Sequence, residues 1–436
     1  MGDAGRGRLL QERARLLIPG GSHTYSKGDD QFPENSPALI ERGEGCWCWD
    51  PDGHRWLDYG MGLRAVILGH AHPPVVEAAR RELGRGSNFT RPSPLEGELA
   101  ERMRALIPCA EMSKFAKNGS DVTSAATRLA RAYTGRDLIA ACRDNPFYSF
   151  DDWWIGRTET SAGVPCAISD LTLTFRYNDL ASLEQLFAER PGEIACVILE
   201  PVALEPPRDR FLERVVELAH RNGALVVFDE MISGFRYHLR GAQTLFGVHP
   251  DLATFGKALG NGFSVAALCG KAEVMRLGGL DHDRERVFLL SATHGGETHA
   301  LAAALASICE QETHDVVAHV ARLGQRLMQG VRAAAVAHGL ADQVDCIGHH
   351  ASPVIVCRDG EGRASLPLRT LLLQEMAARG ILIPYVAISW AHGEAEIDST
   401  VTALHDSLAV YARALEEGVD RHLRGPAVKP VFRRHN

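Results

Sequence analysis

Asp251-Leu-Ala-Thr-Phe-Gly-Lys257-Ala-Leu-Gly-Asn-Gly-Phe-Ser264 decides the fold, read together with the apolar run Val226-Val-Phe-Asp229-Glu-Met231 that precedes it. An acidic residue closing a strand-like run, then a lysine in a glycine-rich turn, is the pair that pyridoxal-phosphate chemistry requires. The amine of Lys257 can hold an aldehyde as a Schiff base and later shuttle protons. The carboxylate of Asp229 can keep a pyridine nitrogen protonated, which makes the ring an electron sink. A lone lysine in such a turn is also a common surface residue, so the weight falls on the surrounding sequence.

Four further stretches suit the same cofactor. Lys117-Asn-Gly119-Ser120-Asp opens an alanine-rich run, where backbone N–H groups and a hydroxyl can face a phosphate. The same residues also read as an ordinary helix N-cap. Asn145-Pro-Phe147-Tyr148 offers an aromatic ring to stack on the pyridine, with Phe147 the first choice and Tyr148 the second. Val197-Ile-Leu-Glu200-Pro ends in a carboxylate that can orient neighbouring site groups, or equally cap a helix or form a salt bridge. Leu289-Leu-Ser-Ala-Thr293-His-Gly-Gly-Glu-Thr-His299 supplies Thr293 as another phosphate contact. His294 and His299 invite a metal reading, but their i, i+5 spacing does not place them on one helix face and no third ligand is evident. No metal is expected.

Composition narrows the function classes. At 436 residues the chain exceeds one hydrophobic core, which predicts a large domain and a smaller one. Its 45% apolar and 23% charged residues are those of a globular enzyme, and a net charge of -8 argues against general nucleic-acid binding. Ten cysteines stand without CxxC pairs, which suits small core residues in a reducing cytoplasm. Position 6 lacks the serine or threonine of a myristoylation site, and Arg13 and Arg15 interrupt the leucine-rich start, so no signal peptide is expected. No apolar run approaches the ~20 residues of a membrane helix. The basic end, from Arg421 to His435, is expected to fray.

From about residue 72 helices and apolar strands alternate, as in a mostly parallel sheet covered by helices. Helices are predicted at 74–84, 95–106 and 121–134, and strands at 37–40, 46–49, 138–142, 195–199, 224–228 and 265–269. Beyond residue 298 the pattern is helical (298–311, 314–338), then strand, helix and strand (351–357, 366–379, 381–388). The expected division is an N-terminal segment 1–65, a large cofactor domain 66–312 and a small domain 313–436 that the N-terminal segment joins.

In chain order, Pro19-Gly-Gly, Leu68-Gly-His-Ala-His-Pro, Asn118-Gly-Ser-Asp, Leu199-Glu-Pro-Val, Phe228-Asp-Glu-Met-Ile-Ser-Gly-Phe-Arg and Phe255-Gly-Lys resemble the class III, fold-type I pyridoxal-phosphate aminotransferases. Within that family the likeness is closest to glutamate-1-semialdehyde 2,1-aminomutase and covers roughly residues 15 to 410. The resemblance implies an α/β fold: a large domain with a mostly parallel seven-stranded sheet, plus a smaller α+β domain. It implies that Lys257 carries the cofactor, Asp229 faces the ring nitrogen, and Met231 packs on the ring opposite Phe147. Gly119 and Ser120 would bind the phosphate, joined by Thr293 of the neighbouring subunit in a homodimer with shared active sites.

The chain departs from the aminomutase on the substrate side. Thr24 and Lys27 stand for its substrate-binding serine and arginine, and Leu63 and Arg64 for its tryptophan and glycine. A Phe-Glu-Ala stretch is replaced by Tyr385-Val-Ala-Ile, without the acid. Arg64 offers a planar donor fork to a carboxylate, phosphate or diol, or else bridges subunits. The segment Thr158-Glu-Thr-Ser-Ala-Gly-Val-Pro165 resembles the aminomutase's gate. With the pocket so rebuilt, the reading is an aminotransferase that moves an amino group from a small-molecule donor to a small carbonyl acceptor such as a keto-sugar. The alternative is an intramolecular aminomutase.

Overall fold

The computed structural model describes residues 5–145, 147–202 and 204–435. Residues 1–4, the start of the segment that the myristoylation reading uses, lie outside that set. The chain divides into two compact units, Pro73–Val317 and Met1–His72 with Ala318–Asn436.

The Pro73–Val317 unit is built on seven strands: β1 (Met112–Ala116), β2 (Leu138–Cys142), β3 (Thr172–Phe175), β4 (Ile194–Leu199), β5 (Leu225–Asp229), β6 (Leu252–Phe255) and β7 (Ala266–Gly270). They lie in the order β1-β7-β6-β5-β4-β2-β3. Neighbours are parallel except for β7, which runs against both β1 and β6. Strands β4 to β7 are buried at every position, because helices cover both faces of a parallel sheet. That explains their unbroken apolar runs. β1, β3 and β6 escape the sequence reading because β1 and β3 carry polar residues and β6 is four residues long. The helix Gly119–Thr134 starts at the end of β1; Asn118 Oδ1 accepts from Asp121 N at 3.1 Å, and Gly135 closes it with φ +69°.

The other unit holds a four-stranded sheet of Arg42–Glu44, Trp47–Trp49, Arg55–Asp58 and Ile381–Leu382, and a hairpin of Val344–Ile347 with Val354–Cys357. Helices Leu366–Ala377 and Glu394–Glu417 pack in the same unit. Three expectations are corrected here. Residues 37–40 are not a strand; the first strand starts at Arg42, where antiparallel pairing with Trp47–Trp49 begins. The strand expected over 381–388 ends at Leu382, two residues before Pro384, which has no N–H for the ladder. The basic C-terminal end does not fray: Val428 is buried, Lys429 N donates to Asp30 O at 2.9 Å, and Arg433 pairs with the Asp30 carboxylate at 2.6 Å.

All ten cysteines are unpaired thiols, buried apart from Cys166 and Cys309. Among the described residues no helix is long and apolar enough to cross a membrane.

Two histidines of this unit are folded in neutral form. Burial lowers the pKa of His392 to about 4, and its Nδ1 accepts from Ser389 N (3.1 Å) and Ser389 Oγ (2.8 Å). Burial, with His350 beside it, lowers His349 to about 3. Unfolded, both would take a proton near 6.5. Their contribution is therefore complete above about pH 6.5 and is lost as pH falls toward 4. Melting temperatures stepped through that window should fall; a flat profile would contradict the assignment.

Candidate active site

Every candidate cofactor residue of the Pro73–Val317 unit except Thr293 follows the carboxyl end of a strand of the large sheet. Gly119 and Ser120 follow β1, Phe147 and Tyr148 follow β2, Glu200 follows β4, Asp229 ends β5, and Lys257 follows β6. The carboxyl edge of a parallel sheet is where α/β folds leave a crevice for ligands, since chain connections turn away there.

Asp229 is 3% exposed and its carboxyl is fixed by two donors on Oδ1, Met231 N and Thr254 Oγ1, each at 3.0 Å. Thr254 stands opposite Asp229 in the β5–β6 register, so the sheet itself sets that bond. Burial raises the acid's pKa from its ordinary value; the charge of Lys257 and then the two hydrogen bonds pull it back. An acid in this position gains from a neighbouring cation. Lys257 opens a 3₁₀ turn with φ +46°, a left-handed conformation that costs a residue with a side chain roughly 1–2 kcal/mol.

Met231 connects the two ends of the site. A Cβ at Gly256 would stand 2.3 Å from Met231 Cε, and one at Gly119 3.1 Å from the same atom. The thioether thus lies against both the glycine before the lysine and the glycine that opens the helix Gly119–Thr134. Gly256→Ala should displace it, costing about 1–3 kcal/mol through overpacking and weakening cofactor binding. Cofactor titration should show the loss and its partial recovery with Met231→Ala; wild-type affinity in Gly256→Ala alone would contradict this contact.

Ser120 is buried, and its Oγ accepts from Phe150 N at 3.0 Å, which leaves the hydroxyl hydrogen to donate elsewhere. The amides of Gly119 and Ser120 stand at the start of a 16-residue helix, where the macrodipole favours an anion. The 147–151 loop is tied to this helix at several points. Thr123 Oγ1 donates to Tyr148 O (2.9 Å), Ser124 contacts Ser149 Oγ (3.1 Å) and the Asp151 carboxylate, and Trp153 Nε1 donates to Ser124 Oγ (2.8 Å).

The loop separates the two aromatic candidates. Phe147 is 46% exposed, whereas Tyr148 is 2% exposed and belongs to the core. The Tyr148 hydroxyl donates to Cys142 O at 3.2 Å, and the ring meets Trp154 edge-on at 4.8 Å. Tyr148 is therefore corrected from a stacking candidate to a core residue. Burial pushes its hydroxyl well above the ordinary pKa, followed by the Cys142 thiol and the charges of Glu200 and Asp229. Glu200 is half-buried just past β4.

Thr293 O accepts from Asn88 Nδ2 at 3.0 Å, and its turn is tied to Lys117 through Glu297 (Nζ to Oε2, 2.8 Å). His294 Nδ1 meets the same carboxylate at 2.9 Å. Glu297, held below the ordinary carboxylate range first by Lys117, thus takes the bond that a metal reading would have assigned to His294. Among the described residues no group of three or more His, Cys, Asp or Glu side chains is placed to hold a metal ion.

The candidate substrate residues belong to the other unit. Thr24 O accepts from Lys27 N at 3.0 Å, and Lys27 lines a cavity of about 830 Å³ with Leu63 and Tyr385. Arg64 Nε donates to Ser352 Oγ at 2.7 Å, and the guanidinium lies 5.0 Å from the Tyr385 ring centre. Residues 61–64 all have positive φ, from +41° to +68°. Sequence reasoning gave no role to Thr254, Ser124 and Asp151, and it took Gly256 only as part of the glycine-rich turn; Thr254 left a trace as a hydroxyl on the run leading to Lys257.

The donor set fits pyridoxal phosphate: an amine for its aldehyde, a buried acid for its ring nitrogen, and helix amides with a hydroxyl for its phosphate. Known proteins agree. Residues 29–353 match the aminotransferase class-III family. A glutamate-1-semialdehyde 2,1-aminomutase of Sorangium cellulosum is 35% identical over 92% of this chain and 96% of its own. The FumI protein of Sphingopyxis sp. MTA144, solved in a pyridoxal-phosphate form, superposes with a TM-score of 0.86 at 26% identity over 94% of this chain and 97% of that one. An omega-transaminase from Sphaerobacter thermophilus gives 0.85 at 27%, covering 94% and 99%. The chain has the fold-type I architecture and the pyridoxal-phosphate cofactor of these enzymes, and it belongs to the class-III aminotransferase family.

Proposed function

We propose that this protein moves an amino group within one small amino-carbonyl substrate, as the glutamate-1-semialdehyde 2,1-aminomutases do. The observation that carries this reading is a one-third identity to such an enzyme along nearly the whole of both chains. The likeness favours the intramolecular alternative over transfer to a keto-sugar. Bound pyridoxal phosphate supplies an aldehyde for the substrate nitrogen and a ring that takes up the electron pair of a C–H bond. Nζ of Lys257, once free, would carry protons to and from the two substrate carbons between which the nitrogen moves, one in each half of the reaction. The carboxylate of Asp229 accepts a hydrogen bond from the ring N–H and holds its charge. Gly119 and Ser120 grip the phosphate, Thr293 of the partner subunit in a homodimer joins them, and Phe147 and Met231 hold the ring faces. Glu200 orients neighbouring groups. Thr24, Lys27 and Arg64 are the proposed contacts for the substrate's polar groups.

A second reading, transfer to a separate carbonyl acceptor, is favoured by the Leu63-Arg64 and Tyr385-Val-Ala-Ile replacements and by the likeness to an omega-transaminase. Glutamate-1-semialdehyde supplied alone separates the two. Moving its amino group from C2 to C1 gives 5-amino-4-oxopentanoate, which should accumulate without any second carbonyl compound. Amine appearing only on an added acceptor would contradict the mutase reading.

A further inference from the structure

Beside Asp229 lies a second buried carboxylate that the amino-group chemistry does not use. Glu230 is fully buried, and each of its oxygens takes two hydrogen bonds. Oε1 accepts from Gln243 N and Gln243 Nε2, both at 3.1 Å; Oε2 accepts from Ser233 Oγ at 2.9 Å and Ala242 N at 2.5 Å. Four donors are the full complement of an ionised carboxylate, and a protonated acid would set its own hydrogen against one of them. Burial raises this acid's proton affinity and the four bonds oppose that shift. Gln243 is also fully buried and accepts from Cys109 N at 3.0 Å, so the knot reaches a third segment of the unit.

We propose that Glu230 is a positioning residue for the acid that faces the cofactor ring. By tying residues 233, 242 and 243 back onto position 230, it fixes the main chain at the next residue, Met231. The Met231 amide holds the Asp229 carboxyl, and the Met231 thioether fills the space between Gly119 and Gly256. The anchoring is completed by Glu230 N donating to Thr254 O and Gly234 N donating to Glu230 O, each at 2.9 Å. If the knot loosens, the Asp229 rotamer and one face of the ring site loosen with it. This role is the same whichever carbonyl compound receives the amine, so it stands apart from the substrate reading.

Glu230→Gln tests it. The side chain keeps its size, but an NH₂ group now meets two donors. The variant, folded by circular dichroism, should bind pyridoxal phosphate about tenfold or more weakly. It should also displace the pH midpoint of the bound chromophore, which senses the acid at the ring nitrogen. A purely structural acid would lower the melting temperature and leave that midpoint in place. Adding Gln243→Glu exchanges donor and acceptor across the pair and should recover much of the affinity. Wild-type affinity and an unmoved midpoint in Glu230→Gln would overturn the proposal. Should that variant fail to fold, Ser233→Ala removes a single bond and must still displace the midpoint from its wild-type value; an unmoved midpoint there would overturn the proposal as well.

Discussion

A Lys257→Ala protein is expected to fold and yet to show neither visible absorbance with pyridoxal phosphate nor measurable turnover. The residue follows a fully buried strand, and its left-handed backbone is imposed by the turn, so removing the side chain leaves the local conformation to the same constraints. What is lost is one nitrogen with two tasks, covalent capture of the cofactor and proton transfer at the substrate carbon. Losing a positioned proton carrier alone costs about 10²–10⁴ in rate, and losing the covalent anchor adds to it. An absorbance scan with an assay on glutamate-1-semialdehyde checks both tasks. Retained colour with normal turnover would place the chemistry on another residue.

Asp229→Asn separates electronic function from structure. The asparagine carbonyl can still accept from Met231 N and Thr254 Oγ1, so the rotamer and the fold should persist. Its NH₂ would then face the ring nitrogen as a donor, where a charged acceptor is needed. The ring loses its proton and most of its capacity to hold an electron pair. Turnover should fall by roughly 10³, about 4 kcal/mol of barrier, while the cofactor stays bound. Steady-state kcat beside a cofactor titration measures this. Turnover within a factor of a few of the wild type would mean that Asp229 serves only the fold.

How far the sequence carries depends on whether a feature is local. The strand expected at 138–142 occurs at Leu138–Cys142, because five apolar residues between two turns can be little else in a buried parallel sheet. The places of Asp229, Gly119 and Ser120 in the fold could be read from short stretches, because the first ends an apolar strand and the others open an alanine-rich helix, whereas Lys257 was marked by its glycine-rich turn and not by the strand before it. Tyr148 was not legible: which of two adjacent aromatics turns inward is decided by Trp154 and the Cys142 carbonyl, elsewhere in the chain. The same holds for the Met231 thioether between two glycines and for the Glu230 knot, which joins residues 230, 233 and 243 to 109. The C-terminal end looked like a solvated basic tail because its partner, Asp30, lies 403 positions away.

Borohydride reduction of the cofactor-loaded protein, followed by peptide mapping, probes the attachment itself. The label should appear on the peptide that contains Leu252–Phe255 and the lysine two residues beyond it, at Nζ of Lys257. A label on any other lysine, or none on a protein that holds pyridoxal phosphate, would contradict the account.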